Sequence, residues 1–185
     1  MTSKRVCVFC GSSLPPEPAY REAATVLGTA IGRAGAELVY GGGRIGLMGL
    51  VADAALAAGA RVIGVIPVGL HNREIAHSGL SDLVVVPDMQ ERKREMFALS
   101  DAVAVLPGGL GTLDEAFEAI TLRQLGFFQK PIVVIDILGY WQPLQAMVMQ
   151  IIASGFARPE AGQLYEVVTR AEDALPACFG KELRP

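Results

Sequence analysis

Charge of either sign is scarce in this 185-residue sequence: 19% of residues are Asp, Glu, Lys or Arg, and they sum to −3 at pH 7. With a pI of about 5.4 there is no basic surface of the kind a reader of phosphate backbones needs, so no nucleic-acid partner is expected. Cysteines number three, an odd count that excludes a disulfide framework. Histidines number two, His71 and His77, both in one stretch. That leaves neither a helical His pair nor a Cys/His cluster, so no metal is expected and both side chains read as solvated loop residues. No G-x-S-x-G marks a serine nucleophile. The first apolar run, Val6-Cys7-Val8-Phe9-Cys10, ends at Gly11 and is too short for a signal-peptide core. No run approaches the roughly 20 apolar residues of a membrane span. The expected compartment is the cytoplasm, with no membrane partner.

What the sequence has is apolar matter: 51% hydrophobic residues and a mean hydropathy of +0.39, which exclude disorder. A chain of this length makes one domain and buries roughly 70% of its unfolded surface without staples. Short Val/Ile/Leu runs at residues 5–10, 36–40, 61–66, 82–86, 102–106 and 131–136, with a weaker one at 166–168, read as strands buried on both faces. Helical segments alternate with them at 17–34, 47–58, 88–100, 112–125, 140–154 and 171–179, with Gly35 and Gly59 placed as C-terminal caps. This rhythm predicts a single-domain α/β fold, 1–185, with a Rossmann-like doubly wound sheet, mainly parallel, and helices on both faces.

Cys7-x-x-Cys10 is spaced like a redox motif, but such motifs open a helix. Here the pair lies in an extended run, where residues three apart point to opposite faces, so both read as buried strand cysteines.

In a doubly wound fold ligands gather beyond the carboxyl ends of the strands. Two strand-to-helix turns there are rich in glycine. The first, Gly41-Gly42-Gly43-Arg44-Ile45-Gly46, is formally a G-x-G-x-x-G. The next strand ends in Pro67-Val68 and not in the acid that a ribose would need, which argues against NAD. The second, Pro107-Gly108-Gly109-Leu110-Gly111-Thr112-Leu113-Asp114-Glu115, lacks the Lys of a Walker loop but suits a phosphate monoester. Its glycines bare their amides, and Thr112 adds a hydroxyl at a helix mouth. Thr112-x-x-Glu115 also reads as an ordinary capping box. A third cluster, Arg92-Lys93-Arg94, follows a cap at Asp88; it is either a solvated face or a source of cations for the same crevice. The 67–81 connection is long for a compact domain.

Together these clusters resemble the Lonely Guy (LOG) family of cytokinin riboside 5′-monophosphate phosphoribohydrolases. The resemblance rests on Val6-Cys7-Val8-Phe9-Cys10-Gly11-Ser12-Ser13, Tyr40-Gly41-Gly42-Gly43, Gly46-Leu47-Met48-Gly49 and Gly64-Val65-Ile66-Pro67. It continues in Met89-x-x-Arg92-Lys93-x-x-Met96 and Pro107-Gly108-Gly109-x-Gly111-Thr112-x-x-Glu115. It implies a cofactor-free hydrolase that splits the N-glycosidic bond of an adenosine-type 5′-monophosphate into free base and ribose 5-phosphate. It also implies a homodimer with active sites near the shared interface. Arg92 and Glu115 would be the catalytic pair, with Arg92 holding Glu115 and the ribose hydroxyls in register. Gly109, Leu110, Gly111, Thr112, Leu113 and Asp114 would line the phosphate and ribose site, with Glu74, Lys93 and Thr121 as further contacts and the Gly42-Gly43 turn nearby. The chain departs from the family in having Asp114 where Glu is frequent and Leu110 where an aromatic is frequent; the latter falls on the pocket floor.

Two other functions compete. A carrier of the same fold would hold a nucleotide or cofactor without hydrolysing it, and would need neither a positioned carboxylate nor its Arg. A lysine decarboxylase would need a desolvated Lys for pyridoxal phosphate, and none of Lys4, Lys93, Lys130 and Lys181 reads as one. The 140–154 helix carries apolar groups on more than one face, consistent either with a partner or with an internal helix.

Overall fold

A computed structural model describes residues 3–71 and 76–180. The apolar runs form seven strands: β1 (Arg5–Phe9), β2 (Glu37–Tyr40), β3 (Val62–Pro67), β4 (Asp82–Val86), β5 (Ala102–Val105), β6 (Ile132–Ile135) and β7 (Glu166–Val168). They form one sheet of order β4-β3-β2-β1-β5-β6-β7, and every pairing is parallel. Between them run α1 (Pro18–Arg33), α2 (Gly46–Ala57), α3 (Val68–His71), α4 (Met89–Leu99), α5 (Leu110–Gln124), α6 (Gln142–Ala153) and α7 (Ala174–Phe179).

Strand alternation divides the core. Val6 and Val8 face α1, α2 and α7, whereas Cys7 and Phe9 face α4, α5 and α6. Cys10 joins the first layer and Cys7 the second, so the two thiols lie on opposite sides of the sheet. The chain winds outward from β1 to β4, then returns to place β5 on the other flank of β1. That reversal sends the helices that follow β1 and β5 to opposite faces of the sheet and opens a crevice at the strands' carboxyl ends.

Departures from the sequence reading are local. Part of the 67–81 connection is α3, and Ala76 forms an antiparallel bridge to Gly43, which pins the connection to the first glycine turn. The expected helix at 171–179 is a 3-10 turn, Ala171–Asp173, followed by α7. The helix expected from residue 140 starts at Gln142, behind a 3-10 turn over Ile137–Gly139. Asp88 does cap α4, accepting from the amides of Gln90 and Glu91 at 2.9 and 2.8 Å. Among the described residues no helix is long and apolar enough to cross a membrane.

Candidate active site

Helix α5 begins at Leu110, two residues before its sequence reading, so Thr112 lies inside the first turn and no side chain caps the helix. The capping-box reading of Thr112 and Glu115 is thereby corrected. The amides of Gly109, Leu110, Gly111 and Thr112 find no acceptor among the described residues. They are the free donors of a helix N-terminus, with the positive end of the dipole behind them. Gly108 permits this geometry: a Cβ there would meet the Thr112 hydroxyl at 2.1 Å and the Gly11 amide at 2.8 Å.

These amides open onto a cavity of about 300 Å³ at the switch point of the sheet. Its polar lining includes Ser12, Arg92, Thr112 and Glu115, and its apolar lining includes Met48, Ile66, Leu70 and Met89. A larger hollow, about 390 Å³ between α4 and α5, contains neither Arg92 nor Glu115.

Arg92 and Glu115 are only 7% and 8% exposed, yet no ion pair joins them. The Arg92 guanidinium instead bridges two strand ends, donating from Nε to the Val65 carbonyl at 3.1 Å and from one terminal nitrogen to the Gly41 carbonyl at 2.9 Å. Among the described residues its other terminal nitrogen meets only the Met89 sulfur, at 3.6 Å. The expectation that Arg92 holds Glu115 directly is corrected: Arg92 holds the wall opposite. No hydrogen bond ties down the Glu115 carboxyl among the described residues. Burial pushes it up to about 7; the Arg92 charge pulls against that rise, and the Asp114 charge adds to it.

Lys93 is 3% exposed, which excludes the solvated-face alternative for this member of the Arg92–Arg94 run. A buried ammonium needs partners, and its Nζ lies 2.9 Å from Asp114 and 2.5 Å from Glu118. Burial alone would lower its pKa, but hydrogen bonds to Glu118 and Asp114 outweigh it and the pKa is raised. A lysine held so firmly protonated is unsuited to a Schiff base. Lys130 is half-buried and donates to the Phe97 carbonyl at 2.6 Å. Arg94 stays on the surface, paired with Glu91.

The structure thus brings together Arg92, Gly43, Gly109, Leu110, Gly111, Thr112 and Glu115 around one cavity. Leu110 is 86% exposed, so it stands at the rim and not on the floor. Lys93, Leu113, Asp114 and Gly42 do not line the cavity: buried Lys93 holds the exposed Asp114, Leu113 packs into the core, and Gly42 sits against Ile66 and Leu83. Thr121 is exposed on α5 and does not line the cavity. Glu74 falls outside the described residues. His77 is not a solvated side chain; it is half-buried, pairs with Asp53 at 2.9 Å and accepts from the Gly79 amide at 3.0 Å. Met48 in α2, Ile66 in β3 and Leu70 in α3 escaped the sequence reading, because apolar residues on helices and strands look like core.

A family model described as "Possible lysine decarboxylase" matches residues 48–178. The chain is 43% identical over 180 residues to cytokinin riboside 5′-monophosphate phosphoribohydrolase LOG1 of Arabidopsis thaliana, covering 94% of this chain and 84% of that protein. It is 46% identical to the probable enzyme of the same name LOGL2 of Oryza sativa subsp. japonica, with 94% and 74% covered. Among solved structures, the molybdenum cofactor binding protein of Rippkaea orientalis superposes with a TM-score of 0.72 at 20% identity, over 95% of this chain and 94% of its own. That likeness is one of fold.

Proposed function

The chain belongs to the Lonely Guy family, and we propose from that premise that it hydrolyses the N-glycosidic bond of adenosine-type 5′-monophosphates, N6-substituted ones included, releasing free base and ribose 5-phosphate. The observation that carries this reading is a buried, unpaired carboxyl, Glu115, in the same cavity as four unpaired amides at the start of its own helix. At about 1.5 Å per residue, Glu115 lies about 7.5 Å further along the axis than the first helical residue, Leu110. Its side chain tilts back toward the helix N-terminus, which brings the carboxyl nearer to those amides.

In this mechanism the phosphate docks on the amides of Gly109, Leu110 and Gly111 with the Thr112 hydroxyl beside it. The base lies against Met48, Ile66, Leu70 and Met89. As the C1′–N9 bond breaks, its electron pair leaves with the base and positive charge gathers on the sugar. The ionised Glu115 stabilises that charge, orients water toward C1′ and takes its proton, while the leaving base is protonated on a ring nitrogen. Anchoring the remote phosphate contributes several kcal/mol by fixing the sugar. Arg92 keeps the β2 and β3 ends in place and turns its remaining nitrogen to the ribose hydroxyls. A carrier would need no such carboxylate.

The functional unit in this reading is a homodimer. Phe117, Thr121 and Leu125 lie four residues apart and form one exposed stripe along α5 and its C-terminal cap. Thr121 reaches a substrate only across an interface built on that stripe. Light scattering tests this, with twice the 19.6 kDa chain mass expected and a monomer contradicting it.

The activity is tested by incubating the protein with AMP and isopentenyl-AMP and identifying products by chromatography. Free base with ribose 5-phosphate is expected. Nucleoside with inorganic phosphate, or no turnover, would contradict the proposal.

A further inference from the structure

The orientation of the anion cradle depends on a residue from the far side of the crevice. The Tyr140 hydroxyl donates to the Gly108 carbonyl oxygen at 2.5 Å. A trans peptide is planar, so the carbonyl of Gly108 and the amide of Gly109 point in opposite directions. Holding the oxygen toward Tyr140 turns the Gly109 N–H away from it. Gly109 lies between two hollows: one, of about 260 Å³, holds Tyr140 and Tyr20, and the other holds Arg92 and Glu115. The amide turned from Tyr140 is therefore turned to the cavity with the catalytic pair.

Among the described residues, Tyr140 is the only donor to this oxygen. Gly108 and Gly109 flank the peptide and leave it free to rotate. A rotated peptide would present a carbonyl oxygen to an incoming anion in place of a donor.

The position of Tyr140 is itself built at some expense. Leu138 has φ 55° and is the one non-glycine with positive φ among the described residues; Gly139 follows at 75°. The Leu138 side chain is 69% exposed, so its own packing does not account for that backbone. What the turn achieves is to swing Tyr140 back over the end of β5. Buried Asp136 fixes the next residue, accepting from the Trp141 amide at 2.6 Å. The Tyr140 ring then meets Trp141 and Tyr20 edge-on, with centroids 4.9 and 5.6 Å away.

We infer that Tyr140 is a positioning residue for the phosphate subsite, its hydroxyl locking the Gly108–Gly109 peptide so that the Gly109 amide faces the ligand. The inference rests on the proposed phosphate docking but not on hydrolysis itself.

Tyr140→Phe keeps the ring contacts and removes the hydroxyl. Titration calorimetry with the two products, ribose 5-phosphate and adenine, separates the phosphate end from the base end. The expected result is ribose 5-phosphate binding about tenfold weaker than in the wild type, with adenine binding unchanged. For AMP, KM rises by a similar factor and kcat changes little. Unchanged ribose 5-phosphate binding, or an equal loss for both products, overturns the inference, the latter because a merely structural defect does not distinguish them. Because binding is read directly, a wild type that binds both products without cleaving AMP defeats the proposed function and leaves this test standing. Should the variant fail to fold, a wild-type crystal soaked with ribose 5-phosphate decides. A Gly109 N–H to phosphate bond with Tyr140 still on Gly108 supports the inference, and an amide turned from the phosphate overturns it.

Discussion

The guanidinium of Arg92 donates to the carbonyl oxygen of Gly41 at 2.9 Å, and a Cβ on residue 41 would stand 1.8 Å from the donating nitrogen. The glycine at the end of β2 is thus required by the arginine of α4, and the two form one wall of the cavity. With the second bond to Val65, Arg92 ties the ends of two adjacent strands to one helix.

Gly41→Ala is the sharpest probe of that wall. The backbone there is not left-handed, so alanine is tolerated conformationally and the damage falls on Arg92. A loss of at least a hundredfold in kcat/KM is expected, with about 1–3 kcal/mol lost from folding stability by denaturant titration. Wild-type activity in this variant would show that the clamp is dispensable.

Arg92→Lys keeps the charge but cannot span both carbonyls as the planar fork does. The expectation is a loss of activity as large as that of Gly41→Ala. Near-normal kinetics would mean that charge alone suffices.

The rate should follow the ionisation of Glu115. Burial raises that carboxyl to about 7, and the mechanism uses it ionised. Below pH 7, kcat/KM for AMP is expected to fall about tenfold per unit, and above it to level off. The phosphate of the ligand titrates near pH 6, so a midpoint near 7 belongs to the enzyme. A rate that falls as pH rises through 7 would assign Glu115 the opposite role, that of an acid.

Glu115→Gln separates catalysis from stability. A carboxyl whose folded pKa is raised is easier to bury protonated, so its stabilising contribution is full below its unfolded value and is lost as pH rises through about 7. The variant is expected to lose at least a thousandfold in kcat. At pH 8 it should be more stable than the wild type by about 1–3 kcal/mol, and at pH 4.5 no more stable. Equal melting temperatures at pH 8 would show that the ionised carboxylate is well solvated in the cavity.

Most of the fold was legible from the Val/Ile/Leu runs, because strands buried on both faces of a parallel sheet leave little room for anything else. Fine boundaries were less legible. Thr112 and Glu115 carry the signature of a capping box, and nothing local shows that α5 starts two residues earlier, at Leu110 behind Gly109. Whether the Arg92–Arg94 run faces solvent or the crevice was not legible, because the burial of Lys93 depends on Asp114 and Glu118 arriving from another helix. The role of Tyr140 was invisible for a similar reason: residue 140 fits the apolar pattern of the expected 140–154 helix, while its partner lies 32 residues away. The glycine turns were legible because close approach restricts residue type; Arg92 and Glu115 were paired only by the family resemblance, since a charge run and a capping box give no local sign of burial.

The central claim is that a 5′-phosphate sits on the first amides of α5 with Glu115 beside the anomeric carbon. A crystal of Glu115→Gln soaked with AMP tests it most directly, since the substrate should persist uncleaved. The account expects phosphate oxygens on the amides of Gly109, Leu110 and Gly111, with the residue-115 side chain against C1′. A nucleotide bound with its phosphate elsewhere, or with that side chain turned from the sugar, would contradict it.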